Sequence, residues 1–302
     1  MSAEPPVTGD AELEEVTLEL LVEWGIDARR IHAVVCGLRD GSWRTPGQLV
    51  REHGVSRRTV EHLLTRLGPW LERSGPRLRV RPERKEALAA AWGCAPARAP
   101  VDDETVEAAM AELVRALPAS DRSLDHVAAT PETAVRRARF LVESFDLRDA
   151  AVTCLGDHDL TSLALTQLCP SAAVSVVDVD ERVLSFIGGV AADRGWRVTP
   201  VFGDLRVELP PALRGSCDLV FTDPPYTPGG MQLFLSRGLE SLRRRDVSRL
   251  VFCYGFGERH PALGLKVQAV FAAVLLCMAW LGDAGKVPKC FRSRGRGRSR
   301  RA

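Results

Sequence analysis

The feature that most restricts this 302-residue chain is a regular alternation in its second half. Short apolar runs rich in β-branched residues recur there, each closing in a polar loop and leading into a helical stretch. The runs are AAVTCL at 150–155, AAVSVVDV at 172–179, WRVTPVF at 196–202, CDLVFT at 217–222 and RLVFCYG at 249–255. Helices are expected at about 160–168, 181–194, 231–243 and 260–281. Strands separated by helices cannot pair as tight hairpins; they pair in parallel, with helices covering both faces. In an open sheet of this kind the ligand crevice lies beyond the carboxyl ends of the strands. The loops GDHD, DVDE, GDL and DPPY are therefore expected to line one site.

What those loops carry narrows the chemistry. After the first strand come Gly156, Asp157, His158 and Asp159, where a glycine-rich turn would normally offer backbone N–H groups to an anion. One of the two aspartates serves readily as a helix N-cap, but one helix needs one cap, so the pair points to a ligand. After the second strand, Asp178 and Asp180 stand about twenty residues further on, where folds of this type bind ribose hydroxyls. They point the same way along an extended chain and are not separated at this level. Asp204 follows the third strand, at a position that often contacts an adenine amino group. The fourth loop, Asp223-Pro224-Pro225-Tyr226, matches the DPPY signature of enzymes that alkylate an amine nitrogen. Its prolines fix φ and expose carbonyl groups, Asp223 accepts a hydrogen bond or a proton, and Tyr226 offers a flat face to a planar base or a cation.

Upstream, residues 11–82 read as a small helical module. TPGQLVREHGVSRRTVEHLLTRLG has a helix-turn-helix layout with Ser56 as an N-cap, and PRLRVRP follows as a wing strand. The expected organisation is a winged-helix-like domain over 1–82, a linker over 83–104, a Rossmann-like domain over 105–282 and an arginine-rich, disordered tail over 283–302. Charge argues against a nucleic-acid role. The formal net charge of +2 is carried by the end of the chain, because residues 261–302 hold nine basic groups and one acidic. Residues 1–260 hold 32 basic and 38 acidic groups, and a mildly acidic body repels phosphate. The module is expected to serve dimerisation or packing, in a homodimer. Eight widely spaced cysteines with no CxxC pair read as buried, reduced thiols, with no metal. The start of the chain has no signal peptide, the longest apolar run is too short for a membrane span, and a cytoplasmic location is expected.

Together these residues resemble one family. GDHDLTSLAL, VVDVDERVL, FGDLR and FTDPPYTPGG, with DHVAATPETAVRRA before them and YGFGERHPALGLK after, look like the branched-chain polyamine synthases, the N4-bis(aminopropyl)spermidine synthases. The similarity covers roughly residues 120–268. It implies a Rossmann-like S-adenosylmethionine-dependent-transferase fold. It also implies decarboxylated S-adenosylmethionine as aminopropyl donor, spermidine as acceptor at its secondary amine, and methylthioadenosine as byproduct. The family's acidic turn reads Gly-Asp-Asp-Asp, and His158 replaces the middle aspartate. Beyond about Gln268 the family pattern dissolves, and the arginine-rich end reads as a frameshifted gene end.

The physical reading agrees with that resemblance. Decarboxylation removes the donor's only carboxylate, so an N–H cradle loses its partner while aspartates gain a cation. Spermidine is itself a chain of ammonium groups, and an acidic crevice steers both substrates. Displacement at the carbon beside a sulfonium releases a neutral thioether, so the site needs an acceptor for the amine proton rather than an acid. Asp159 or Asp157 is expected in that role, with Asp223 and Tyr226 positioning the nitrogen. Gly156, His158, Asp178, Asp180, Asp204 and Pro224 are expected to hold the donor. The alternative is an adenine or cytosine amino-methyltransferase using S-adenosylmethionine, with DPPY gripping a flipped base.

Overall fold

The computed structural model describes residues 8–94, 102–124, 126, 129–244, 246–254 and 261–280. The tail expected over 283–302 lies outside them. The chain opens with four helices, α1 (Thr8–Trp24), α2 (Ala28–Leu38), α3 (Pro46–His53) and α4 (Arg57–Arg66). The starts of α3 and α4 follow from their caps. Thr45 and Gln48 form a reciprocal capping box, and Ser56 accepts from the Thr59 N–H. An antiparallel hairpin follows, β1 (Leu71–Ser74) with β2 (Arg77–Val80), so the strand expected in PRLRVRP is present and paired.

Two expectations for this region need correction. The linker placed over 83–104 contains a helix, α5 (Lys85–Ala91), and Leu88, Trp92 and Cys94 are buried in the same core as Leu20, Ile31 and Leu63. Its alanine-rich composition suits a helix as well as a spacer, and Leu88 with Trp92 supplies an i, i+4 apolar pair that docks it. The cysteines are not all reduced thiols, because Cys36 and Cys94 are joined as a disulfide across 58 residues of sequence. Cys154, Cys169, Cys217 and Cys253 are free.

The second half begins with α6 (Asp103–Ala116), capped by Asp102, and α7 (Pro131–Ser144), capped by Thr130 with proline at its first position. Then come β3 (Ala151–Leu155), α8 (Thr161–Leu168), β4 (Ala173–Asp178), α9 (Glu181–Arg194), β5 (Val198–Phe202), β6 (Leu219–Thr222), α10 (Pro228–Ser241), β7 (Arg249–Phe252) and α11 (Pro261–Trp280). All five strands pair in parallel, in the order β5-β4-β3-β6-β7. Alternate residues feed opposite faces, as a two-residue period requires. Val152, Cys154, Val174, Val176, Leu219 and Phe221 pack with α6 to α9 on one face. Leu155, Val177 and Val220 pack toward Leu213, Phe234 and Leu242 on the other. No helix among the described residues is long and apolar enough to cross a membrane.

The strand order places the site. The chain runs outward through β3, β4 and β5, then returns to lay β6 against the other edge of β3. Loops after β3 and β6 consequently leave the sheet in opposite directions, and that switch point opens a crevice at the carboxyl ends.

Candidate active site

A cavity of about 680 Å³ occupies this crevice. Its lining includes Gly156 to Asp159 after β3, Val177 to Val179 after β4, Gly203 to Arg206 after β5, and Asp223 to Tyr226 after β6. The four loops do meet. Gly156 adopts a left-handed φ of +69°, turning the chain sharply out of β3. At Gly203 any Cβ would lie 2.8 Å from Pro210 and 2.9 Å from Val177, so only glycine lets this loop close over the strand below it.

Asp157 and Asp159 are both drawn into the start of α8, contrary to the expectation that only one would cap it. Both Asp157 oxygens accept from the Ser162 N–H, at 3.2 and 3.3 Å, while Asp159 accepts from the Thr161 N–H at 3.3 Å and the Thr161 hydroxyl at 2.8 Å. The helix accommodates two caps because Leu160, between them and α8, takes a left-handed φ of +58° and has no capping side chain. Left-handed backbone at a leucine is unfavourable by about 1–2 kcal/mol, so the folded turn must hold it in place. The two acids then diverge. Burial, and next the charge of Asp159, push the Asp157 carboxyl well above the usual carboxylate range. Asp159 instead reaches the Arg137 guanidinium of α7.

Arg137 is the residue that sequence reasoning missed. Its guanidinium bridges Asp159 and Asp223, joining the loops after β3 and β6 across the switch point. Burial alone would lower its pKa, but Asp159 and then Asp223 raise it on balance. The available signal was the periodicity of α7. Ala134, Val135, Ala138 and Leu141 face the core, which leaves Arg137 at the margin of that face, beside the cavity.

Asp223 has one oxygen on Arg137, while Oδ1 is buried with no hydrogen-bond partner. Tyr226 stands beside it, and its phenol is pushed up to about 12, first by burial and then by the Asp223 carboxylate. The Tyr226 ring is packed edge-on against Tyr254, with centroids 5.5 Å apart. Pro224 lines the cavity alongside. Thr222 donates its hydroxyl to the Leu155 carbonyl at 2.7 Å, which locks the ends of β6 and β3 together beneath the two loops.

The second loop separates its two aspartates. Asp178 lines the cavity and accepts from the backbone N–H groups of Asp157 and Asp180, at 3.2 and 2.9 Å. Asp180 is not among the lining residues, which corrects its expected place in the donor site. It caps α9 through the Arg182 N–H and pairs with the Arg182 side chain, which holds its pKa low. Asp204 lines the cavity and pairs with Arg206 at 2.8 Å. His158 lines it too, buried and stacked on His126 with centroids 4.4 Å apart. Burial, and next the neighbouring His126, lower its pKa, so it is a neutral acceptor at pH 7.

Five aspartates and two arginines therefore face one crevice with two histidines and a tyrosine. Such a site favours cations and offers an unfilled acceptor at Asp223, while Ser123 in its lining donates its hydroxyl to Asp121 at 2.7 Å.

Residues 105–254 match the family model for the branched-chain polyamine synthase A C-terminal domain. An uncharacterized protein of Methanocaldococcus jannaschii is 38% identical over 137 residues, 45% of this chain and 35% of its own length. The N(4)-bis(aminopropyl)spermidine synthase of Thermococcus kodakarensis is 35% identical over 133 residues, 44% of this chain and 38% of its own. The match thus spans little more than a third of either relative. A solved structure of the branched-chain polyamine synthase C9 mutein from Thermus thermophilus, in complex with N4-aminopropylspermidine and 5'-methylthioadenosine, aligns with a TM-score of 0.44. Identity there is 26%, over 78% of this chain and 70% of that one.

Proposed function

Residues 105–254 belong to the branched-chain polyamine synthase A C-terminal domain family, and from that premise we propose that this chain transfers an aminopropyl group from decarboxylated S-adenosylmethionine to the secondary amine of spermidine. The observation that carries the reading is the pair Asp159 and Asp223, set on opposite sides of the switch point and bridged by the one cation Arg137. A site built for cationic substrates needs its carboxylates held in place, and the fixed guanidinium keeps both on the same cavity.

The donor fits the residues present. Asp178 and Asp204 offer acceptors to its adenosine part, and His158 lines the same cavity with Gly156. Its sulfonium and ammonium meet carboxylates rather than a glycine-rich N–H cradle. Tyr226, Pro224 and Pro225 form a wall against which the acceptor's methylene chain lies. Asp223 Oδ1, buried and unpartnered, takes the amine N–H and aims the nitrogen lone pair.

In the reaction a nitrogen–carbon bond forms as the carbon–sulfonium bond breaks, and methylthioadenosine leaves neutral. The proton released from nitrogen passes to a carboxylate, and then to water. Asp159 is assigned that task. Asp157, although adjacent, is pushed by burial toward its uncharged form, and serves to fix the start of α8. The excess of carboxylates disfavours a polyphosphate substrate, which weighs against the nucleic-acid methyltransferase alternative.

The test is incubation of the purified full chain with decarboxylated S-adenosylmethionine and spermidine, followed by mass spectrometry. The expected result is a branched product heavier by one or more aminopropyl units, with methylthioadenosine in equal amount per transfer. No product and no methylthioadenosine, together with methyl transfer from S-adenosylmethionine to DNA, would overturn the reading.

A further inference from the structure

Away from the cavity, the N-terminal half brings three metal-ligand side chains to one point. His32 and Cys36 lie four residues apart on α2, so both leave the same face of the helix. Cys94, just past α5, meets them there. Cys36 Sγ lies 3.6 and 3.7 Å from the two ring nitrogens of His32, and one donor atom from each of the three residues falls within 4.8 Å of the others. Cys94 is buried, and His32 and Cys36 are half-buried. In the structure the two sulfurs are joined.

We propose that His32, Cys36 and Cys94 form a binding site for one divalent metal ion of the zinc type when the two cysteines are reduced, the disulfide being the oxidised, metal-free form of the same site. A dithiol reductant supplies two electrons and two protons, breaking the sulfur–sulfur bond to give two thiols while the reductant becomes a disulfide. The ion then binds two thiolates and one imidazole lone pair and releases the two thiol protons to solvent.

Three features favour this site. Two thiolates and an imidazole are a donor set that selects zinc over calcium or magnesium, leaving a fourth tetrahedral position for water. Zinc–sulfur bonds of about 2.3 Å and zinc–nitrogen bonds of about 2.0–2.1 Å at tetrahedral angles hold a sulfur and an imidazole nitrogen ~3.6 Å apart. Cys36 Sγ already stands 3.6 Å from a ring nitrogen of His32, so reduction need only part the two sulfurs. Neighbouring groups also orient the ligands. His32 hydrogen-bonds the Trp92 carbonyl and tilts against the Trp92 ring at 6.5 Å, and a metal-bound imidazole commonly gives its second N–H to such a carbonyl. The Arg39 guanidinium holds the Cys94 carbonyl and places a positive charge beside the developing thiolates. The four free cysteines share no such cluster among the described residues.

The full chain, reduced with dithiothreitol and desalted without oxygen, is titrated with Co²⁺ and then Zn²⁺. The expected result is one Co²⁺ per chain, with thiolate-to-cobalt charge-transfer absorption that Zn²⁺ abolishes, and protection of two thiols from alkylation. The oxidised chain should bind neither ion in this way. Cys94→Ser and His32→Ala should each weaken Zn²⁺ binding by at least about tenfold, the scale of losing one well-set ligand contact, whereas Cys169→Ser leaves it unchanged. Absence of metal in the reduced chain, or an affinity unchanged from the native chain in both ligand variants, would refute the site. Should Cys94→Ser fail to fold, the half-buried His32→Ala decides the matter.

Discussion

The N-terminal module and the sheet domain bury polar groups very differently. Around α1 to α5 the charged side chains pair on the surface, as in Arg57 with Glu61 and Arg66 with Glu19, and Thr17 is the one buried polar residue among those described. The sheet domain instead buries Asp157, Asp159, Asp178 and Asp180, along with His158, and most of these lie at the carboxyl ends of β3 and β4. Burying a carboxylate is unfavourable unless it is paired or hydrogen-bonded, so a chain that buries Asp157, Asp159 and Asp178 around one crevice, each with a partner, keeps acidic groups there for a task. The module, whose interior is otherwise apolar, has the composition of a packing element.

The largest test of that contrast lies within two residues of one loop. Asp159→Asn should reduce aminopropyl transfer by roughly 10²–10⁴-fold, the usual scale for losing a positioned proton acceptor. Asp157→Asn should leave most activity, because burial pushes the native carboxyl toward the uncharged form that an amide imitates, and an amide oxygen still accepts from Ser162. Steady-state rates with circular dichroism as a fold control decide it; equal losses would assign the loop to structure rather than chemistry.

The opposite pattern is expected in the module. Leu63 is fully buried in its core, and Leu63→Ala should lower unfolding free energy by about 2–5 kcal/mol. Activity per folded molecule should not change. A loss of kcat at a temperature where the variant remains folded would mean that the module shapes the site directly. It does touch the sheet domain, through Asp27 with Arg249 and the Asp146 N–H to the Ile26 carbonyl, so the test is a real one.

How much of this could be read in the sequence depended on the range of the interactions. Strand and helix spans were legible because a two-residue apolar alternation and the helical run Glu181–Arg194 are local patterns. The convergence of four loops followed from parallel pairing alone. Separation of Asp178 from Asp180 was not legible, since it turns on which acid caps α9 and which turns inward. Arg137 was hidden because it reaches Asp223 across 86 residues, and no spacing rule connects a helix before the sheet to the loop after β6. Cys36 and Cys94 were hidden for the same reason, as was the stack of His126 on His158.

Arg137 itself gives a third test, intermediate in size. Arg137→Gln leaves Asp159 and Asp223 facing each other without a counterion, and like charges so placed favour taking up a proton. The acidic limb of the pH–rate profile should move to higher pH, with kcat lowered by about tenfold or more and KM changed less. A uniform rise in KM at every pH would instead make Arg137 a substrate contact.

The smallest expected effect concerns His158, and it reaches the question of why an imidazole sits among aspartates. Its pKa is lowered by burial and then by His126, so near pH 7 it is neutral and adds an acceptor without charge. On acidification below the ordinary histidine value of about 6.5, protonation adds a cation to the crevice beside Asp159 and Asp178 and opposes a cationic donor. The KM for the donor should therefore rise as pH falls. His158→Asn keeps an acceptor that cannot titrate. At pH 8 its donor KM should lie within about threefold of the native value, because one neutral hydrogen bond contributes only ~0.5–1.5 kcal/mol. Below pH 6 the variant should bind the donor more tightly than the native chain. Parallel profiles for the two would show that the rise comes from another group facing the cavity, with His126 the first to replace.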